Sequence, residues 1–407
     1  MRILLVSEDL PAVGMGGLAR HVLALARGFQ ADGHHVDLMG NDDVTLTQAG
    51  DEFNFDGRFY PELRGQFDGW KEMRFGVFMP LKRSVIARRF ARAILRRAIG
   101  YDVIHYHGHL PNIAYYLPPS LNFIQTRHDQ GSDCLIHIRF RRDRICLSDH
   151  PADCASCRSW QPNRLQRLIS AIAVRRFRSE VRQGLLRHKT VFVSELLQRN
   201  LARSFGQRRW GMVVHNFVDA AGLQVLRQQA RPTESSSLRI VIAAKLYPAK
   251  GVEAFLELLA PHLGTSLQVD VAGDGIDEDR LRRRFPDMSF HGLLSGPDTL
   301  RLTGCADAVV VPSICEEACP STVLEALMLG KTVFALRLGG TPELAIYQSG
   351  PDQLRLYDTL AELVDALRAF RPRPDYPFAP QTPMGVADTA GRLLALYRLP
   401  PGSLAAG

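Results

Sequence analysis

Two glutamates and two lysines carry the most legible chemistry in this chain. In AVVVPSICEEACPSTVLEALMLGKTVFALRLGGTPEL (308–344), a strand runs to Val311 and a loop then carries Glu316 and Glu317. The pattern next predicts a helix opening at Pro320–Ser321 and containing Glu325. A helix N-terminus presents unpaired amide N–H groups and partial positive charge, which suits a diphosphate. That places Pro320, Ser321 and Thr322 beside such a group. A carboxylate in the preceding loop suits sugar hydroxyls, and one within the helix suits a ribose diol. Upstream, AAKLYPAKGV sets Lys245 and Lys250 in a loop after a strand. Two cations there suit a pyrophosphate and would stabilise a departing nucleoside diphosphate. Alone, each feature is also what a solvated loop or a helix surface looks like; it is their order that is informative.

The first half has its own polar constellation. DVIHYHGHLPN places His105, His107 and His109 at a strand end, where alternate residues share a face, so His105 and His107 point together. His128 and Asp129, in TRHDQG, stand at another strand end. GMGGLARHV joins a strand to a helix through Gly14, Gly16 and Gly17. With Ala19, and with Asp37 expected at the end of the next strand, this also spells a dinucleotide fingerprint. However, Leu10–Val13 separate strand from glycine, looser than that turn requires, which disfavours hydride transfer.

Four of the seven cysteines, Cys134, Cys146, Cys154 and Cys157, crowd one segment. Cys154-Ala-Ser-Cys157 has metal-ligand spacing, so the four are candidates for a structural zinc or, second, an iron–sulfur cluster. Buried unligated thiols are the alternative.

Residues so scattered need a framework to assemble them. Short apolar runs alternate with helical patterns almost throughout, the βαβα order of a parallel sheet covered on both faces. Expected strands are Arg2–Ser7, Val36–Met39, Val103–Tyr106, Leu121–Thr126 and Thr190–Val193. A second set is Arg239–Ala243, Leu267–Ala272, Met288–His291, Ala308–Val311 and Thr332–Ala335. The 407 residues exceed one ordinary core. Two domains are expected, 1–217 and 218–383, with a C-terminal helix in 384–407 returning to the first. The start, MRILLVSEDLP, reads as a buried strand rather than a signal peptide, and no apolar run is long enough to span a bilayer. A cytoplasmic location is therefore expected.

Read in order, AAKLYPAKGV, VAGDG, FHGLL, CADAVVVPS and the Glu317/Glu325 segment resemble the large retaining glycosyltransferase family, of the family 4 type, that includes sucrose synthases and bacterial mannosyltransferases. The resemblance implies an α/β fold of two Rossmann-like domains facing across a cleft (GT-B). It implies a donor-binding C-terminal domain and an acceptor-binding N-terminal one. By resemblance Glu317 contacts the donor sugar, Glu325 the ribose and Lys250 the diphosphate, while His107 sits at the catalytic cleft. Gly16, Gly17, Gly273 and Leu293 join the donor site, and Lys245 stands where an arginine is usual. The usual Gly-Phe-Gly after the first glutamate is here Ala318-Cys319-Pro320. The family's transfer retains anomeric configuration and requires no metal cofactor. The implied partners are a UDP- or GDP-linked sugar and a glycan, glycolipid or lipid-linked acceptor, in cell-surface or extracellular polysaccharide synthesis. A sugar-nucleotide epimerase of the same fold, or a non-catalytic sugar-nucleotide-binding protein, is the alternative.

The formal charge of +8 admits an anionic substrate or membrane surface. No zinc-finger, RNA-recognition or helix-turn-helix pattern supports nucleic acid as a partner. In Leu81–Gly100, Lys82, Arg89 and Arg96 fall in one helical line opposite Ala87, Ala91 and Ile94, a pattern expected of peripheral attachment to the inner face of a membrane, or of a surface helix docked on its own sheet.

Overall fold

The computed structural model describes residues 1–12, 16–63, 79–155, 157, 163–206, 210–229, 237–263, 267–372, 374–379, 382–401 and 403. Gly14 of the glycine tract lies outside them, as does most of the polar stretch 231–237. The chain forms two compact units: residues 1–139, 146–216 and 386–407, then residues 140–145 and 217–385.

Unit 1 contains β1 (Arg2–Val6), α1 (Gly17–Ala31), β2 (His35–Asn41), α2 (Leu46–Ala49), β3 (Phe59–Leu63), α3 (Met79–Arg97), β4 (Val103–His107) and β5 (Phe123–Arg127). The hairpin β6 (Phe140–Arg141) and β7 (Arg144–Ile145) groups with unit 2. Unit 1 resumes with α4 (Pro151–Ala155), α5 (Arg164–Arg187), β8 (Lys189–Phe192), α6 (Glu195–Phe205) and β9 (Met212–Val213). Its seven strands are parallel in the order β3-β2-β1-β4-β5-β8-β9. Apolar runs such as Ile3–Val6 and Val103–Ile104 are buried because helices cover both faces.

Unit 2 contains α7 (Ala220–Gln229), β10 (Leu238–Ala243), α8 (Val252–Leu259), β11 (Leu267–Ala272), α9 (Glu278–Arg284), β12 (Ser289–Gly292) and α10 (Gly296–Gly304). It continues with β13 (Ala308–Val311), α11 (Ser321–Met328), β14 (Thr332–Leu336), β15 (Leu354–Tyr357) and α12 (Leu360–Ala369). Its six strands are parallel in the order β12-β11-β10-β13-β14-β15, packed on a core that includes Ile240, Val271, Val310 and Phe334.

The final helix, α13 (Val386–Tyr397), belongs to unit 1. Its Val386 and Tyr397 lie against Gly28 and Phe29 of α1. Buried Lys189 of β8 donates from Nζ to the Leu396 and Leu399 carbonyls at 3.1 and 2.7 Å, fixing the end of α13 to the sheet.

Three strands of these sheets escape the apolar-run signal: β3, β9 and β15. All are edge strands with partly exposed residues, and β3 carries Pro61, which an edge tolerates because a ladder donor is dispensable there. Asp37 also differs from expectation. It lies inside β2, 1% exposed, and accepts from the Arg58 amide at 3.0 Å and the Tyr101 hydroxyl at 2.5 Å. A carboxylate so occupied does not serve a cofactor ribose.

Candidate active site

In open parallel sheets, ligands favour the carboxyl ends of strands where the strand order reverses. In unit 2 that point lies between β10 and β13. The loop after β10 carries Lys245 and Lys250, and the loop after β13 carries Ser313 and Glu317. Backbone bonds tie the loops together, Ile314 N–H to the Ala249 carbonyl at 3.1 Å and Cys315 N–H to the same oxygen at 3.2 Å. Gly251, at φ +66°, permits this approach: a Cβ there would stand 2.2 Å from the Pro312 carbonyl oxygen.

A cavity of about 230 Å³ opens at this junction, lined among others by Ala244, Lys250, Ser313, Glu317, Ser321 and Thr322. Glu317 Oε1 accepts from Lys250 Nζ and, at 2.7 Å, from Ser313 Oγ. Burial alone would lower the Lys250 ammonium, but the adjoining Glu317 carboxylate reverses this and holds it above the ordinary lysine range. The cavity therefore keeps a fixed cation beside a fixed carboxylate. Pro320 precedes α11 and supplies no side-chain cap; the Val323 amide donates to its carbonyl at 3.1 Å, and the Ser321 and Thr322 amides at the helix start suit an anion.

The other expected donor residues fall as follows. Ser321 is exposed, and Thr322 donates to the Ala243 carbonyl at 3.4 Å. Glu325 lies in the first turns of α11, half-buried. Lys245 is 64% exposed and paired with Asp274 at 3.1 Å, at the solvent edge. Gly273, at φ +138°, lets the turn after β11 press on the Ala244 carbonyl, where a Cβ would stand at 1.9 Å. Leu293 is 68% exposed. Two contributors went unread in the sequence. Ser313 orients Glu317 from four residues upstream. Gly339 and Gly340 support that loop from behind: the Gly340 amide donates to the Glu317 carbonyl at 2.8 Å, and a Cβ on Gly340 would stand 2.0 Å from the Ala318 oxygen. The Gly-Gly pair after a strand was the available signal.

Unit 1 has its reversal between β1 and β4. His107, fully buried at the end of β4, meets His128 at 3.0 Å (Nδ1 to Nε2), and His21 of α1 packs on both rings. Burial holds all three imidazoles uncharged: His21 falls to about 4, and His107 and His128 lie well below the ordinary histidine range. His105 shares the face of His107, ring centroids 4.1 Å apart, but is bound to Tyr397 Oη and Thr126 Oγ1 at 2.6 and 2.7 Å. Next to this neutral group, His109 lies between Asp129 at 3.0 Å and Asp9 at 3.2 Å. Burial would lower it, but the carboxylates raise it to about 10. His137 also meets Asp129, at 2.9 Å. Gly16 caps α1 at φ −70°, and a Cβ on Gly16 or Gly17 would meet nothing within 4 Å. Neither glycine is demanded by its own fold, which leaves open space at that helix start.

Among the described residues, two sets bring three metal-type ligand atoms within 4.8 Å of one another: His21, His107, His128, and His109, Asp129, His137. Cys134, Cys146, Cys154 and Cys157 form no such set there. Burial raises the thiol of Cys134 to about 12, and Cys154 Sγ accepts from Arg178 at 3.2 Å.

Two parallel α/β sheets, one with a lysine–carboxylate cavity at its strand reversal, define a protein of the GT-B glycosyltransferase class. Residues 15–221 match the model described as Glycosyltransferase Family 4, and residues 237–370 match Glycosyl transferases group 1. The chain belongs to Glycosyltransferase Family 4. A glycogen synthase from Mycobacterium tuberculosis (strain CDC 1551 / Oshkosh) is 26% identical over 370 residues, 85% of this chain and 80% of the synthase. Among solved structures, sucrose-phosphate synthase from Thermosynechococcus elongatus shares the fold with a TM-score of 0.62, 17% identity and 98% of each chain covered. HepE from Anabaena, solved with UDP and glucose, has a TM-score of 0.60 and 14% identity, with 97% of this chain and 99% of that one covered.

Proposed function

We propose that this glycosyltransferase moves a hexosyl group from a nucleoside diphosphate sugar to a hydroxyl of a glycan or lipid-linked acceptor, with retention of anomeric configuration. The carrying observation is the Lys250–Glu317–Ser313 group in the cavity beside the uncapped start of α11. On this reading the donor's diphosphate binds at Lys250 and the α11 amides, which stabilise charge developing on the leaving group. Glu317 holds two partners on Oε1, and among the described residues its Oε2 takes none, which suits it to sugar hydroxyls. Glu325 takes the ribose. In unit 1, His107 is a neutral imidazole able to donate or accept a hydrogen bond. Retention follows when the leaving diphosphate stays bound while the acceptor attacks the same face.

The glycogen synthase relative and the UDP-bound HepE support a glucosyl-type donor and a polysaccharide product for this chain. The test screens UDP-, GDP- and ADP-sugars by thermal shift, since a ligand that binds only the folded state raises its melting point. It then follows transfer to oligosaccharide and lipid-linked acceptors, reading product anomers by NMR. An inverted product would refute retention, and the absence of stabilisation by any nucleotide sugar would refute the donor assignment.

A further inference from the structure

The first half of α5 exposes an apolar face. Leu165, Leu168, Ile169 and Ile172 are 65, 59, 38 and 55% exposed. Their spacing, i, i+3, i+4 and i+7, puts them on one side of the helix. The packed side, Ala173, Val174, Phe177 and Val181, lies nearly opposite. Thus α5 has two apolar faces, and its own core uses one. On the exposed side, the helical repeat sets Arg164 and Arg175 along one edge, while Arg176, 58% exposed, follows at its C-terminal end.

Beside it lies α3, joined through Ser84 Oγ to Glu180 at 2.7 Å and through Arg83 stacked over Phe177 at 5.2 Å. In α3, Ala87, Ala91 and Ile94 are taken by its own core, while Leu81, Val85 and Leu95 are exposed beside the outward Lys82, Arg88, Arg89, Arg92 and Arg96. Together α3 and α5 carry fourteen lysines and arginines against one glutamate, Glu180, which is buried. The whole chain is only +8, so the rest of it is net negative and the positive charge is concentrated on these two helices.

We infer that this face docks on an anionic lipid bilayer. The four aliphatic side chains of α5 enter the headgroup–acyl boundary, and the outward arginines of both helices meet lipid phosphates. Charge selects this occupant over a second copy of the chain, because pairing like faces would set the outward cations of one copy against those of the other. Among the described residues no helix is long and apolar enough to cross a membrane, so the attachment is interfacial. This inference stands independently of the donor assignment.

The test is cosedimentation of the full chain with phosphatidylcholine vesicles, pure or with about 30% phosphatidylglycerol, at low and high salt. Wild type should partition onto the anionic vesicles, release as salt rises, and leave neutral vesicles largely unbound. Leu168→Asp with Ile172→Asp should reduce partitioning at least tenfold while the melting temperature and nucleotide-sugar stabilisation stay unchanged. Leu168→Gln with Ile172→Gln serves if the aspartates impair folding. Arg89→Glu with Arg92→Glu should reduce binding severalfold. Equal binding to both vesicle types at low salt, or wild-type binding by the apolar-face variants, would overturn the proposal. So would a lipid-free dimer that those variants dissolve, which would assign the face to a second copy.

Discussion

At the strand reversal of unit 2, Lys250 keeps its charge; at that of unit 1, His21, His107 and His128 have none. Both groups are largely buried, so burial does not distinguish them. The partner does. Lys250 has a carboxylate in contact, whereas the three imidazoles have chiefly one another, and a second cation nearby only adds repulsion. Two residues beyond His107, His109 shows the opposite outcome in the same unit, because Asp9 and Asp129 flank it. The reversal of one unit holds a charged pair, and that of the other a cluster of uncharged imidazoles.

The largest expected effect is at Lys250. Lys250→Ala removes the cation proposed to meet the donor diphosphate and leaves Glu317 Oε1 with Ser313. Initial transfer rates should fall by about 10²–10³, the cost typical of losing one preorganised charge stabiliser. A fall of less than threefold would mean that the ion pair is structural only.

Next come the glutamates. If Glu325 holds the ribose, Glu325→Ala should weaken calorimetric binding of the free nucleoside diphosphate, with turnover at saturation little changed. If Glu317 serves the reacting sugar, Glu317→Ala should depress turnover more than it weakens that binding. Each loss is expected near 1.5–3 kcal/mol, roughly ten- to a hundredfold. Reversal of the two patterns would exchange the assigned roles.

The histidines sharpen the contrast through pH. His109 is raised from 6.5 to about 10 in the fold, so its contribution is complete below 6.5 and is lost as pH rises through 10. His109→Gln should therefore lower the melting temperature at pH 6 and converge on wild type by about pH 11. His21 is lowered from 6.5 to about 4, so the unfolded chain takes up its proton first. Stability then falls as pH drops from 6.5 towards 4, by up to about 1.4 kcal/mol per pH unit for this group. His21→Gln should flatten that acid limb and change nothing above pH 7. A melting curve unchanged in slope would contradict the neutral assignment.

The smallest effect is expected at Lys245. It is 64% exposed and its pair with Asp274 is open to solvent. Exposed pairs are worth about 1 kcal/mol at most, so Lys245→Ala should barely move the melting temperature. If it nevertheless reduced transfer as strongly as Lys250→Ala, the charged site would extend to the solvent edge.

Much of this was written along the chain. Buried parallel strands announce themselves as short apolar runs because both faces of the sheet are covered, and so the central strands of both units were legible within a residue or two. Glycines before α1 and the loop–helix position of Glu317 and Glu325 were likewise local features. What sequence order does not contain is contact across the fold. Lys250 and Glu317 stand 67 residues apart, and His107 and His128 stand 21 apart. Only the adjacency of β10 with β13, and of β4 with β5, brings them together. The same holds for charge and exposure. The histidine spelling is alike in His107 and His109, yet neighbouring side chains leave one neutral and the other protonated, because ionisation depends on the partners that surround a group after folding. Packing likewise decides which apolar side chains a helix keeps outside: Ala87, Ala91 and Ile94 of α3 enter the core, while Leu165, Leu168, Ile169 and Ile172 of α5 stay exposed.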